Sequence, residues 1–302
     1  PAIILHEVSA RVEAVGEGVA KFAPGDIVAL GCDIPCGNRA CLYCGDGGTG
    51  DWTSCPHTQA TGHEFPGFAR QRAILPDWFV ALGPVVNFGP GFDPDEACHL
   101  EPIACALEGM TRVNRCIENR VVVLIGAGSQ STYALQCAQA MGARRIIVIN
   151  RGAERLERVL RDFGDGRTVG LTWDEQVVEK TLQACEPFNE PHFVMMNTPA
   201  EAGYRLATSL MGYGTVMDAH AGVKGAGGKP RIACEVDLNN DIHYKLQALQ
   251  ATHGSTWHGI GGAGELLRKG KLPGLGRMTQ DNERFHHSQL KAAIARAADR
   301  DS

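Results

Sequence analysis

Cys36, Cys41, Cys44 and Cys55 stand in a C-x4-C-x2-C-x10-C arrangement inside a Gly- and Asp-rich loop, residues 32–56. Four thiolates so spaced can wrap tetrahedrally around one zinc ion, and a closed shell of that kind braces a loop without offering an open position for chemistry. Free thiols in a surface loop are the plainer alternative. Cys32 is a fifth thiol in the same stretch, read as a spare that could replace a neighbour. Two His-Glu pairs, His6-Glu7 and His63-Glu64, add imidazole and carboxylate groups, and Glu101 stands where a helical stretch begins. A strand points adjacent side chains to opposite faces, so if His6 and Glu7 serve one site, one is the direct ligand and the other acts through a bend.

A different chemistry is written around residue 126. Val121–Ile125 is a short β-branched apolar run that reads as a buried strand, Gly126-Ala127-Gly128 turns the chain, and Ala134, Leu135, Ala138 and Met141 then follow helical spacing. Gly142 ends the helix and Ile146–Ile149 is a second apolar run, completing one βαβ unit. Glycines before a helix N-terminus let a pyrophosphate approach unpaired N–H groups, so the turn suits a dinucleotide held by Gly126, Gly128, Ser129, Gln130 and Ser131. Ser131 replaces the third glycine, and Asn150 stands where an acid would bind the ribose. Asn150 lacks the charge that would repel a 2′-phosphate, while Arg151 and Arg155 could pair with phosphate or stack on adenine, so NAD and NADP both remain open.

Further elements must position these groups. Leu156, Val159, Leu160 and Phe163 form a helical stripe, and Thr168–Thr172, Phe193–Met196 and Gly214–Asp218 read as strands separated by helices. Thr198-Pro-Ala-Glu201 reads as a capping box opening the next helix. That alternation predicts an α/β fold with a doubly wound parallel sheet, whose ligands sit beyond the carboxyl ends of the strands and so near Asn197, Asp218, Ala219 and His220. The Gly- and Lys-rich stretch 219–231 reads as a loop able to order over a ligand. Before residue 115 the chain reads as a small β-barrel segment, a strand-like run to Val80 and a helix over Asp95–Arg112 that could start at Glu101. Helices over Ile260–Lys269 and Gln289–Ala298 follow.

At 302 residues the chain can hold two domains, and 44% hydrophobic with 21% charged residues fits a soluble globular protein. A formal net charge of −5 gives no basic footprint for nucleic acid, and no apolar run reaches the ~20 residues needed to span a membrane. The start PAIILHEVSA has no signal-peptide pattern, so a cytoplasmic protein is expected. Of the eleven cysteines, Cys98, Cys105, Cys116, Cys137, Cys185 and Cys234 read as small buried hydrophobes.

Together these motifs resemble the zinc-containing medium-chain dehydrogenase/reductase family, the alcohol and polyol dehydrogenases. The resemblance rests on His6-Glu7, ARVEAVGEGVAKFAPGDIV, the PCG and four cysteines, Gly67-Phe68-Ala69, Glu101-Pro102-Ile103-Ala104 and VVVLIGAG, in that order. NNDIHYKLQALQATHGST looks like the polyol and sugar-phosphate branch. The resemblance implies a GroES-like β-barrel catalytic domain (1–115 and 254–302, zinc lobe 32–56) and a Rossmann domain (116–253). It further implies a catalytic zinc near His6, Glu7 and Glu101, a structural zinc on the four cysteines, and hydride transfer between NAD(P) and an alcohol, polyol or sugar-phosphate substrate. The assembly expected is a homodimer or homotetramer. The competing expectation is a silent relative that binds nucleotide and keeps only the structural zinc. His63-Glu64 lies where the family has no ligand and is read as a coincidence. The family's first zinc ligand is a cysteine upstream of the His-Glu pair, where only five residues stand here, so either the N-terminal part is missing from this sequence or the site lacks that ligand, and the end strands missing at both termini favour an incomplete sequence. Leu5, Ala10 and Ser131 occupy positions usually held by glycine.

Overall fold

The computed structural model describes residues 3–112, 117–222, 237–278 and 285–298. The chain divides into two units, Pro1–Ala104 with Gly254–Ser302, and Cys105–His253. The first division falls inside one helix, ahead of the position 115 expected from the sequence.

The first unit begins with β1 (Val8–Arg11) and β2 (Ile27–Leu30), the latter buried along its whole length. β3 (Asp33–Ile34) and β4 (Gln59–Ala60) form a two-stranded antiparallel ladder across the cysteine loop. α1 (Asp77–Leu82), β5 (Val85–Gly89), α2 (Pro94–Ala97) and α3 (Leu100–Thr111) follow. β1, β2 and β5 make an antiparallel sheet, and Val28, Leu30, Ile34 and Phe79 form a buried cluster. The architecture of this unit is small antiparallel sheets, in keeping with the fold class expected from the sequence.

Two local readings change. The strand-like run to Val80 ends as α1, because Pro76 takes the N-cap position and Asp77 stands in the first turn, where a negative charge suits the helix dipole. The single helix over Asp95–Arg112 is two helices with a break at Cys98 and His99. Pro102 lies in the first turn of α3, where its missing N–H has no intrahelical partner to lose.

The second unit is the parallel sheet. It runs β6 (Val121–Ile125), α4 (Ser129–Ala140), β7 (Arg145–Asn150), α5 (Ala153–Phe163), β8 (Thr168–Thr172), α6 (Val177–Ala184), β9 (Phe193–Met196), α7 (Glu201–Ser209), β10 (Val216–Ala219) and β11 (Ala248–Ala251). The sheet order is β11-β10-β9-β6-β7-β8, and each pairing is parallel. Every residue of β6 is fully buried, as a central strand covered on both faces requires. α5 packs closely on β8 because position 170 is glycine: a Cβ there would meet Leu160 Cδ1 at 2.3 Å.

The sixth strand, β11, is absent from the sequence reading. It is an edge strand with alternating half-buried and exposed residues, and ALQA carries neither β-branching nor a continuous apolar run. The capping box at Thr198 does not form either: α7 starts at Glu201 with Ala200 at the N-cap and no side-chain cap. α8 (Trp257–Arg268) and α9 (Leu290–Ala298) return to the first unit. Cys116, Cys234 and most of the loop 219–231 lie outside the described residues. Among the described residues no helix is long and apolar enough to cross a membrane.

Candidate functional site

The cysteine loop folds back on itself through backbone bonds, Gly45 N to Cys41 O at 3.0 Å and Asp46 N to Arg39 O at 2.9 Å, and these turns bring the thiols together. Cys36 and Cys44 are 3.3 Å apart at sulfur, Cys44 and Cys41 3.5 Å, and Cys41 and Cys55 3.7 Å. With Zn–S bonds of about 2.3 Å, a tetrahedron has S···S edges of about 3.8 Å, so this set fits a zinc ion and no disulfide. Backbone N–H groups of Cys44 and Tyr43 lower the Cys41 thiol to about 6, so it is mostly thiolate at neutral pH. Burial pushes the Cys44 thiol up, and a metal must displace that proton. The loop is docked by Trp52, which is buried, donates from Nε1 to the Ser255 carbonyl and packs edge-on against Trp257 at 5.1 Å.

A second donor cluster lies in the same unit. His6, Cys32 and Glu101 offer one nitrogen, one sulfur and one oxygen, all within 4.8 Å of one another. Glu101 is 4% exposed in the first turn of α3, and Cys32 is 7% exposed just beyond β2. His6 is carried by a segment pinned to 67–69, with Gly67 N bonded to Ile3 O at 2.8 Å and Phe68 N to Leu5 O at 2.9 Å. The approach is so close that a Cβ at Gly67 would lie 2.3 Å from the Leu5 oxygen.

Three protein ligands of mixed type with a fourth position open is the pattern of a catalytic zinc site. Burial, followed by the Glu101 and Asp33 carboxylates, drives the Cys32 thiol upward, so binding of a metal there releases a proton. The Cys32 thiol donates to Asp33 Oδ2 at 3.4 Å, and the same oxygen accepts from Ser255 N at 3.0 Å.

This cluster changes the sequence reading at two residues, Cys32 and Glu7. Cys32 is no spare for the cysteine lobe; it belongs to the second cluster. Glu7 is exposed and supplies no atom to that group, because an extended chain sends neighbouring side chains opposite ways. His63 supplies no atom to that group, and its ring stacks on that of His6, with centroids 5.7 Å apart and planes at 30°. The available signal for Cys32 was its place straight after a fully apolar strand, outside the four-cysteine spacing.

Leu5 adopts φ +74°, a left-handed conformation at the position where the resemblance expects glycine. A branched side chain is strained there by about 1–2 kcal/mol, and Leu5 is 50% exposed, so it loses little by truncation. Leu5→Gly is expected to gain up to about 1 kcal/mol after the added chain entropy, raising the unfolding midpoint by roughly 2–4 °C in a thermal melt.

The glycine turn of the second unit has the features a pyrophosphate needs. Gly126 has φ +113°, and a Cβ there would lie 3.2 Å from the Asn197 backbone oxygen. At Gly128, the N-cap of α4, a Cβ would meet nothing within 4 Å, so the space beside the helix N-terminus is open. No side chain caps that helix and its first turn holds no acid. Ser131 Oγ, Gln130 Oε1 and both amide atoms of Asn197 are buried without a partner among the described residues. Such groups are costly unless a ligand or water completes them, and the residues therefore fit a dinucleotide.

Asn150 ends β7 and donates from Nδ2 to the Gly152 carbonyl at 2.9 Å, with Arg151 exposed and Arg155 half-buried beside it. Ser129 is exposed at the start of α4. Asp218 lies at the carboxyl end of β10 as expected, but it is fully buried and both oxygens accept bonds from Gln250 and Thr252, so its side chain faces inward. Gly126→Ala is expected to cost about 2 kcal/mol of stability and at least about tenfold in dinucleotide affinity, read by thermal unfolding and by fluorescence titration.

A profile of the alcohol dehydrogenase GroES-like domain matches residues 1–86. Galactitol 1-phosphate 5-dehydrogenase of Escherichia coli K12 is 30% identical over 168 residues, covering 56% of this chain and 45% of that protein. The chain spans about half the length of this and other curated relatives it matches. In three dimensions it is similar to a zinc-binding dehydrogenase of Sinorhizobium meliloti 1021 solved bound to NADP, with a TM-score of 0.71 at 20% identity, covering 89% of this chain and 73% of that one. An Escherichia coli CFT073 short chain alcohol dehydrogenase, solved with NADH, aligns with a TM-score of 0.75 at 20% identity, covering 98% of this chain and 80% of that one. The likeness of sequence covers the GroES-like stretch at the start of the chain, and the likeness of fold extends over both units.

Proposed function

We propose that this chain carries the working parts of a zinc-dependent oxidoreductase that transfers hydride between NAD(P) and an alcohol or polyol, or the matching carbonyl. The observation that carries the reading is the convergence of His6, Cys32 and Glu101 in one buried place, separate from the four-cysteine lobe. Zinc at such a site supplies Lewis acidity that lowers the pKa of a substrate hydroxyl, or polarises a carbonyl, by direct contact with its oxygen.

The residues do the rest. Glu101 and Cys32 place a carboxylate and a thiolate in a desolvated place, which keeps a divalent cation bound once the Cys32 thiol has given up its proton. Asp33 fixes Cys32 from behind through its bond to the Ser255 backbone. The Gly126 turn, with Ser131, holds the cofactor's pyrophosphate and orients the dinucleotide.

A polyol or sugar-phosphate substrate is supported by the similarity to galactitol 1-phosphate 5-dehydrogenase. A homodimer or homotetramer is proposed with it, supported by exposed Leu246 and Leu249 at β11, the edge strand of the sheet among the described residues. The test is metal analysis combined with a screen of NAD and NADP reduction over a polyol and sugar-phosphate panel, with and without chelator. Zinc at both clusters and chelator-sensitive turnover are expected. Zinc at the cysteine lobe alone, with no turnover, would leave only a nucleotide-binding relative.

A further inference from the structure

The carboxyl edge of the parallel sheet carries a polar network that the glycine turn and the donor clusters leave unused. Asp218, 0% exposed, is clasped at both oxygens: Gln250 Nε2 donates to Oδ1 at 3.1 Å and the Thr252 hydroxyl donates to Oδ2 at 2.7 Å. Gln250 Nε2 also donates to the Gly109 carbonyl at 2.6 Å. A Cβ at Gly109 would lie 2.7 Å from Asp218 Oδ2 and 3.3 Å from Thr252 Oγ1, so α3 can approach the network only with glycine there.

His220 hangs from this network. Its Nδ1 is 3.1 Å from Thr252 Oγ1 and 3.6 Å from Asp218 Oδ2. A hydroxyl has one proton, and Asp218 receives that of Thr252, so the imidazole must donate from Nδ1 to the Thr252 oxygen. Neutral imidazole so held presents Nε2 as an acceptor, and Nε2 has no hydrogen-bond partner among the described residues.

Strand register shows what stands beside it. Asp218 pairs with Met195 on β9 and with Gln250 on β11, so two residues further on His220 is level with Asn197 and Thr252. Both amide atoms of Asn197 and Oε1 of Gln250 are buried and unpartnered. A dinucleotide whose pyrophosphate sits at the turn after β6 has one half over β7 and β8 and the other over β9, β10 and β11. Asn150 and Arg151 mark the adenosine side, at the end of β7, which leaves the nicotinamide to the edge formed by Asn197, His220 and Thr252. A carboxamide brings two N–H donors and one carbonyl acceptor, the complement of an open acceptor beside an open amide.

We infer that His220 Nε2 accepts a hydrogen bond from the carboxamide of the nicotinamide ring, and that Thr252 and Asp218 are positioning residues that hold the imidazole in that tautomer. The inference rests on the dinucleotide-dependent reading given above. NADH and NADPH are titrated by nicotinamide fluorescence into wild type, His220→Ala, Thr252→Val and Thr252→Ser. ADP-ribose, or its 2′-phosphorylated form if NADPH is the ligand, is titrated by calorimetry.

His220→Ala and Thr252→Val are expected to weaken the dinucleotide about tenfold while leaving the ADP-ribose affinity within about twofold, with Thr252→Ser restoring binding. In nitrogen-15 spectra of the ligand-free protein, His220 is expected as the Nδ1–H tautomer in wild type and as a mixture in Thr252→Val. Equal losses for dinucleotide and ADP-ribose would mean a structural role, and unchanged dinucleotide affinity in His220→Ala would also overturn the inference. Wild type that binds neither nucleotide overturns the functional reading itself, and this inference with it.

Discussion

Cys32→Ala is expected to remove the metal of the His6 cluster while the four-cysteine lobe keeps its own, and to lower turnover by about 1000-fold or more. Two donors, His6 and Glu101, then remain of three, which is too few for a tetrahedral site with an open position. The size of the effect follows from the chemistry: a metal-bound hydroxyl is acidified by several pKa units, and each unit is about tenfold in the reactive alkoxide. The protein should stay folded, because Cys32 is a small side chain and Asp33 keeps its bond to Ser255 N. Metal content, circular dichroism and turnover of the same preparation check this. A variant that keeps metal at both clusters and wild-type turnover would show that Cys32 only lines the site.

Cys41→Ala should act the other way, on stability before chemistry. The lobe between Cys36 and Cys55 has almost no regular structure, only a short 3-10 turn at Trp52–Ser54, so its order depends on the metal and on the docking of Trp52. A structural zinc contributes several kcal/mol to the fold of such a loop, and its loss is expected to lower the unfolding midpoint by roughly 10 °C or more. Trp52 is 1% exposed and packed on Trp257, so its release should also shift tryptophan emission to the red. Zinc analysis should find the lobe's metal gone. Cys137→Ala, at a buried site distant in sequence from the lobe, serves as the control and is expected to cost only about 1 kcal/mol without loss of zinc. If Cys41→Ala melts like that control, the four thiols do not hold a structural ion.

In the βαβ unit and in the four-cysteine lobe, where the chemistry depends on residues close together in the chain, the sequence alone determined the outcome. The unit from Val121 to Asn150 has the strand, glycine turn and helix that its pattern predicts, because burial of β-branched runs and the positive φ of Gly126 are local requirements. The same holds for the four thiols of the lobe, where short spacings limit how far apart they can be. The helix α1, in a stretch whose sequence reads as strand-like, shows the limit of that reasoning: Pro76 at the N-cap and Asp77 in the first turn favour a helix there.

Only the tertiary structure decided which distant groups meet. Cys32 joins His6 and Glu101 because β2 delivers it to the place where α3 begins, and no spacing in the sequence records that approach. His220 meets Thr252 because β10 and β11 pair in parallel register, although β11 gives no strand signal of its own. Contacts across tens of residues are fixed by strand pairing and by burial shared among elements. A linear pattern can therefore name the donors, whereas only the folded chain selects their partners.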